Sequence, residues 1–243
     1  MKVGAIIQAR MGSKRLPGKV LKKVLDKPLL EYQYERVKEA KTLNEIIIAT
    51  TKNEKDDPIV QLCRQLSTPY FRGSEEDVLL RFYEAATTFN LDVIVRLTSD
   101  CPIIDPDVID KVVNCYLENS DQYDYVSNTL NRTYPRGLDT EVMSYGALKA
   151  VNAKAQKQHD REHVTAYICN NPKVFRLGNI TDNCVNKHHR WTVDTEEDFL
   201  LIKNIIETLY PINKYFTLED VIHILQDNPK WVEINTHIKQ KKL

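Results

Sequence analysis

No stretch of the 243-residue sequence approaches the roughly 18 consecutive apolar residues that a membrane-crossing helix needs, so no transmembrane segment is expected. A secretory leader is not expected either, because Met1-Lys2 opens into only a brief apolar run. Excess charge of one sign is also missing. Lys+Arg and Asp+Glu each number 34, whereas a general nucleic-acid or membrane-surface binder carries a basic surplus. Partners of those two kinds are therefore not expected. The cysteines Cys63, Cys101, Cys115, Cys169 and Cys184 are odd in number and form no Cys-x-x-Cys. They read as reduced thiols, and the expected location is the cytoplasm. Internal repeats, low-complexity tracts and linkers are absent. So are two common phosphate-binding signatures. Five residues separate Gly12 from Gly18 where a P-loop has four, Val20 follows Lys19 where a P-loop needs Ser or Thr, and Gly-x-Gly-x-x-Gly does not occur.

What the sequence does have is a cation-rich loop after its first strand. Lys2–Gln8 reads as a short apolar strand, and Ala9–Lys19 follows with Arg10, Lys14, Arg15 and Lys19, the small residues Gly12, Ser13 and Gly18, and no carboxylate. Glycines let a backbone approach a ligand closely, and successive N–H groups of such a loop form an anion-binding concavity. Arginines grip phosphate oxygens with two parallel bonds, and lysines act as point charges. The loop is therefore suited to a polyanion, most simply the phosphates of a nucleotide. The bland alternative is a solvated basic loop. Four cations within ten residues, in a chain otherwise balanced in charge, argue against it.

The first half alternates strand and helix patterns. Helices are expected from Pro28 to Ala40, from the Asp57-Pro58 start to about Leu66, from the capping-box pattern Ser74–Asp77 to about Phe89, and from Asp105-Pro106 to about Asn119. Strands are expected at Glu45–Thr51, Tyr70-Phe71 and Asp92–Thr98. In the second half, strands are expected at Tyr123–Ser127, Glu141–Ser144, Val174–Asn179 and Arg190–Val193. Helices are expected at Tyr145–Gln156, Arg161–Asn170, from Asp194-Thr195 to about Leu209, and from Thr217 to about Leu225. The pattern predicts an α/β fold with a mostly parallel central sheet flanked by helices. It reads as one domain over 1–243 with an inserted β/α excursion at about 123–180. Ligands bind such sheets at the carboxyl ends of the strands, which singles out the basic loop and Ser99-Asp100-Cys101-Pro102.

Asp100 and Asp194 each follow a predicted strand. Together they can hold one or two Mg²⁺ ions against phosphates; the alternative is that each caps the next helix. That alternative is the stronger for Asp194, because Thr195-Glu-Glu-Asp198 is itself a capping pattern, and the weaker for Asp100, because Asp105 already serves. His159 and His163 are four apart, but His-Glu-x-x-His is absent and zinc is not expected. His163 reads as a polar residue on the cleft side of a helix. His188 and His189 are as consistent with half-buried structural roles as with ligation. Nothing local activates Cys101, which reads as packing.

Ile6–Lys19 resembles the signature of the cytidylyltransferases that activate sugars as CMP conjugates, a group that includes the CMP-Kdo and CMP-sialic acid synthetases. The resemblance extends in order through Phe71–Val78, Thr98–Pro102, Tyr134–Asp139, Arg161–Thr165 and Arg190–Thr195. It is closest to the spore coat polysaccharide biosynthesis protein F branch. It implies a Rossmann-like nucleotide-diphospho-sugar transferase fold and a homodimer, with the inserted segment helping to form the dimer and sugar site. It also implies a Mg²⁺-dependent reaction in which a hydroxyl of a sugar or sugar acid attacks the α-phosphate of CTP and pyrophosphate leaves. Carried over by position, Gln8, Ala9, Arg10, Gly12, Ser13, Arg15 and Lys19 hold the nucleotide, and Arg72, Gly73 and Asp77 lie near its base or ribose. Asp100 and Asp194 bind metal and join Arg10, Arg15 and Lys19 in catalysis. Arg132, Arg136, Glu141 and His163 face the sugar. One departure is Thr192-Val-Asp194, where sialic acid synthetases commonly show Asp-x-Asp. Two rival readings are a glycosyltransferase of related architecture and a silent nucleotide-binding subunit. The sole Asp-x-Asp, Asp105-Pro-Asp107, stands at a helix start, which counts against the glycosyltransferase. The loop sees phosphates rather than the base, so UTP stays open on the residues alone.

Overall fold

The aliphatic runs of the first half become strands because both faces of the sheet they form are covered. The computed structural model describes residues 1–182 and 186–240; Cys184 lies outside them. The strands are β1 (Val3–Gln8), the short hairpin β2 (Lys23–Val24) and β3 (Lys27–Pro28), β4 (Glu45–Thr51), β5 (Tyr70–Gly73), β6 (Val93–Thr98), β7 (Tyr125–Ser127), β8 (Glu141–Ser144) and β9 (Leu177–Asn179). The helices are α1 (Leu29–Val37), α2 (Asp57–Gln65), α3 (Val78–Thr88), α4 (Pro106–Glu118), α5 (Tyr145–Lys154), α6 (Gln158–Glu162), α7 (Ala166–Cys169), α8 (Glu196–Leu209), α9 (Leu218–Asp227) and α10 (Pro229–Glu233).

Seven strands make one sheet in the order β5-β4-β1-β6-β8-β7-β9, and only β8 runs against the rest. The segment 123–180 supplies β7, β8 and β9 to this same sheet. Side chains alternate across it with the period of two that a strand imposes. Ala5, Ile7, Ile48 and Val95 pack on one face with α1, α2 and α4 through Leu30, Ile59 and Ile109. Ile6, Ile47 and Ile94 pack on the other with α3 and α5 through Phe82 and Leu148. A third apolar cluster joins Leu16 and the β2–β3 hairpin to Tyr134, Trp191, α8 and α9. That cluster anchors three site-bearing segments to one another.

Several expected elements differ in detail, each for a local reason. The capping box expected at Ser74 is displaced: Ser74 Oγ accepts from the Asp77 amide at 3.0 Å, and Asp77 is the cap of α3, accepting from Leu80 N at 2.9 Å. Asp56, not Asp57, caps α2, and its carboxylate is directed away to the basic loop. The helix expected over Arg161–Asn170 is two short ones, α6 and α7, broken at buried Val164, whose φ is 47°.

 A φ of 47° is closed to helix propagation and unfavourable for a β-branched side chain, so the chain must turn there. Arg190–Val193 forms no regular strand and contributes a single bridge, Arg190 to Arg136. The first and last strands of the inserted segment are shorter than expected, at Tyr125–Ser127 and Leu177–Asn179, and α10 is an element the sequence pattern did not signal. Among the described residues no helix is long and apolar enough to cross a membrane.

Candidate active site

The basic loop is pinned by its apolar and backbone groups, which leaves its cations free to face the carboxyl ends of the strands. Met11 N donates to Asp56 Oδ1 at 2.7 Å, and Ser13 N and Gly18 N both donate to Met11 O, at 2.9 and 3.0 Å. Leu16 and Val20 are buried. Gly18 has φ 68°, a conformation that glycine adopts without steric cost. The loop then delivers Lys19 to the two carboxylates. Its ammonium lies 2.8 Å from Asp194 Oδ1 and 3.5 Å from Asp100 Oδ2. Arg15 and Arg190 both reach Asp194 Oδ2, each at 2.8 Å.

Asp194 is not a helix cap. Thr195 caps α8 in a complete capping box with Asp198, so the Asp194 carboxylate is released to the site. Burial alone would raise the Asp194 carboxyl, but Lys19, Arg15 and Arg190 outweigh it and hold it below the usual carboxylate range. Burial likewise works against the Lys19 ammonium, and Asp100 and Asp194 reverse this and raise it. Asp100, just beyond β6, accepts from Thr98 Oγ1 at 2.5 Å. Behind Asp194, Arg190 donates to Asp198 from Nε at 2.9 Å and from Nη2 at 3.0 Å, and Asn235 Nδ2 donates to the same carboxylate at 2.8 Å. Cys101 is buried and its thiol is pushed well up, chiefly by that burial, which agrees with a packing role.

Two cavities meet at this point. The loop cavity, of about 310 Å³, is bounded by Gln8, Ala9, Arg10, Ser13, Arg15 and Lys19, with Asp100 and Asp194. The inner cavity, of about 680 Å³, is lined by Arg132, Arg136, Glu141 and His163. Thr98 and His163 border both. The fold thus gathers most of the expected residues, although they come from opposite ends of the chain. Four expected residues line neither cavity. Gly12 lies in the loop beside Glu75. Arg72 ties β5 to the end of β4 and the segment after it, donating to Thr51 O and Asn53 O at 2.8 and 2.9 Å and pairing with Asp57 at 2.7 Å. Gly73 is pressed against Arg81, whose Cγ is 2.8 Å from where a Cβ would stand. Asp77, besides capping α3, is bound by the Arg161 guanidinium, with Nη2 at 2.7 Å from Oδ2.

The inner cavity carries paired charges and, among the described residues, two cations without an ion pair, Arg136 and Lys187. Glu141 pairs with Arg96 and accepts from Tyr125 OH at 2.7 Å and Thr165 Oγ1 at 2.8 Å. Burial works to raise its carboxyl, and these partners together hold it low. Arg132 forks onto Asp139 at 2.6 and 2.7 Å. Arg136 forms no ion pair with a described residue; burial, then Arg132 and Arg190, press its guanidinium below its usual value. Its loop is docked on the segment before Asp194. Arg136 N donates to His189 O at 3.1 Å, and Trp191 N donates to Arg136 O at 2.7 Å.

Lys14, Arg81, Arg96, His159 and Lys187 also line the cavities. Arg81 is almost fully buried, and burial, reinforced by Arg10, lowers its guanidinium to about 10. The sequence did carry a signal for two of these. Arg96 interrupts the apolar strand Val93–Thr98, and Arg81 interrupts the apolar run Val78–Phe82. A charge in such a place needs a partner or a ligand.

A basic loop facing two carboxylates at the carboxyl edge of a parallel sheet is an arrangement suited to the phosphates of a nucleotide. Comparison with known proteins narrows the class. The sequence model of the cytidylyltransferases matches residues 4–226, and the chain belongs to that family. The enzyme is a CTP-dependent nucleotidyltransferase. An uncharacterised protein of Methanocaldococcus jannaschii is 41% identical over 243 aligned positions, covering 99% of this chain and 97% of that one. The spore coat polysaccharide biosynthesis protein SpsF of Bacillus subtilis is 35% identical over 209 positions, covering 83% of this chain and 85% of that one. Among solved structures, a cytidylyltransferase from Leptospira borgpetersenii superposes with a TM-score of 0.92 at 33% identity, with both chains fully covered.

Proposed function

We propose that the enzyme transfers CMP from CTP to a hydroxyl of a sugar or sugar acid, releasing pyrophosphate, in surface polysaccharide or glycoconjugate biosynthesis. The observation that carries this reading is the junction of two polar cavities beside Asp100 and the loop cations. One cavity suits a triphosphate and the other a polyhydroxylated acceptor. The polysaccharide role borne in the name of the Bacillus relative supports the same acceptor class.

The site residues divide the work. Arg10, Arg15 and Lys19, with the loop amides, bind the triphosphate and stabilise the charge that grows on the departing pyrophosphate. Arg136 is a cation available to an acidic acceptor, since Arg132 and Arg96 are already paired; Lys187, exposed on the same cavity, is the other without an ion pair among the described residues. The residues present fit a Mg²⁺ ion. Asp100 and Asp194 offer hard oxygen donors, and both already contact a single cation, the Lys19 ammonium. Bound there, Mg²⁺ would supply Lewis-acid polarisation of phosphate oxygens. The homodimer belongs to the same reading through the family resemblance, and sedimentation velocity tests it by a species of twice the chain mass. Cys63, Cys101, Cys115 and Cys169 are all free, which supports a reducing compartment, the cytoplasm.

The test is a matrix of nucleoside triphosphates against sugar acids and sugar phosphates, read by pyrophosphate release. CTP with one acceptor class should give turnover, and Asp100→Asn should lower it by at least about a hundredfold while leaving the melting temperature within a few degrees. Nucleotide release from a nucleotide-sugar, without pyrophosphate release from CTP, would sink the proposal in favour of a glycosyltransferase. CTP binding without turnover on any acceptor would sink it in favour of a silent subunit.

A further inference from the structure

Transfer to a hydroxyl requires that the hydroxyl lose its proton, and most acids around the two cavities are already committed. Asp194 is bonded to Lys19, Arg15 and Arg190; Asp100 contacts Lys19; Glu141 is bonded to Arg96; Asp139 is bonded to Arg132. Glu162 is exposed and lines the loop cavity alone. His163 differs in position. It and Thr98 are the residues that border both cavities, so His163 stands at their junction. The backbone holds it there. His163 ends α6, its amide donates to His159 O at 3.0 Å, and the next residue is Val164, buried at φ 47°. A β-branched residue in that region is strained, and such strain persists where the surrounding structure fixes a needed geometry.

We propose that His163 is the general base of the reaction, taking the proton of the attacking acceptor hydroxyl on an imidazole nitrogen. The acceptor oxygen forms its bond to the α-phosphorus as the bond from that phosphorus to the bridging oxygen breaks. The electron pair of the broken bond leaves on pyrophosphate, and the hydroxyl proton resides on His163 until solvent removes it. This assignment rests on the transferase reading above. The surroundings suit the role. Glu162 and His159 flank the ring from its own helix, Arg96 faces it from β6, and Arg81 of α3 lines the same loop cavity. Burial, with His159 and Arg96 adding repulsion, outweighs Glu162 and lowers the imidazole from its ordinary value, so near neutral pH it holds a free nitrogen lone pair.

The experiment compares wild type, His163→Gln and His163→Ala with CTP and the acceptor found in the matrix. Loss of a general base should lower kcat by about 10²–10⁴-fold with CTP binding by calorimetry preserved. The wild-type kcat should fall on an acid limb that His163→Gln lacks, and added imidazole should restore part of the His163→Ala rate in proportion to its free-base fraction. A merely structural role would produce neither the lost limb nor the rescue. Turnover of His163→Gln within about fivefold of wild type, or an unchanged acid limb, overturns the assignment while leaving the transferase reading intact. Wild type that neither binds CTP nor releases pyrophosphate overturns both.

Discussion

Arg190 braces Asp194 from behind, and its removal has a calculable cost. Its guanidinium is buried and makes two bonds to Asp198, at 2.9 and 3.0 Å, and one to Asp194, at 2.8 Å. Each charge-assisted bond of this kind contributes roughly 1.5–3 kcal/mol. Truncation to Arg190→Met also strands the fully buried Asp198 carboxylate, and breaking a buried pair from one side costs roughly 3–5 kcal/mol. Asp198 keeps three donors, the amides of Asp194 and Thr195 at 3.0 and 3.2 Å and Asn235 Nδ2 at 2.8 Å. That retention places the cost at the lower end, about 3 kcal/mol. For a chain of this size the melting temperature should fall by roughly 6–12 °C. Arg190→Lys keeps the charge but not the fork, and should lie between. The diagnostic variant is Arg190→Met with Asp198→Asn, which removes the stranded charge. It should be less destabilised than the sum of the single changes by at least about 1 kcal/mol. Urea unfolding followed by circular dichroism measures all of these. An Arg190→Met protein within about 1 kcal/mol of wild type, or strict additivity in the double variant, would refute the reasoning.

Gly137 has φ 109°, and a Cβ there would stand 2.8 Å from the backbone C and O of Trp191. Gly137→Ala should therefore cost about 2–3 kcal/mol and raise the acceptor KM through the displaced Arg136, with the CTP KM held; melting curves and initial rates check both parts. His189 is driven down to about 4, first by burial and then by His188. Its folded value lies below its unfolded value of 6.5, so the unfolded chain takes up a proton that the folded chain refuses. Stability should be unaffected above about pH 6.5 and should fall by roughly 2 kcal/mol as pH drops toward 4. In His189→Asn that fall should be smaller by about the same amount, and equal pH dependence in the two proteins would contradict it.

The parallel sheet and its covering helices were legible because aliphatic runs and caps are local signals. Ile6, Ile7, Ile47 and Ile48 are fully buried where their runs predict, and Thr195 and Thr217 each open a helix with a complete capping box. What escaped were features decided by residues far apart in the chain. Ser74–Asp77 has the letters of a capping box, yet the cap is Asp77, whose carboxylate also takes the guanidinium of Arg161. Arg161–Asn170 has the composition of one helix, yet it breaks at buried Val164.

The site divides along the same line. Its cations could be read from ten adjacent residues, because a loop that concentrates charge without a counter-ion is visible without any fold. Its carboxylates could only be paired with those cations by the sheet. Lys19 and Asp194 are separated by 175 positions and meet at 2.8 Å. Arg190 shows the same limit most sharply. It stands within a resembling motif, but the sequence offers no reason to rank it above Arg72, which was expected at the nucleotide and instead braces β5. The distinction depends on depth. Arg190 is buried behind Asp194 with a buried acid to satisfy, whereas Arg72 lies partly exposed on carbonyl oxygens at the end of β4 and just after it. A buried charge must be answered by its surroundings, so the network that answers Arg190 also fixes the carboxylate in front of it.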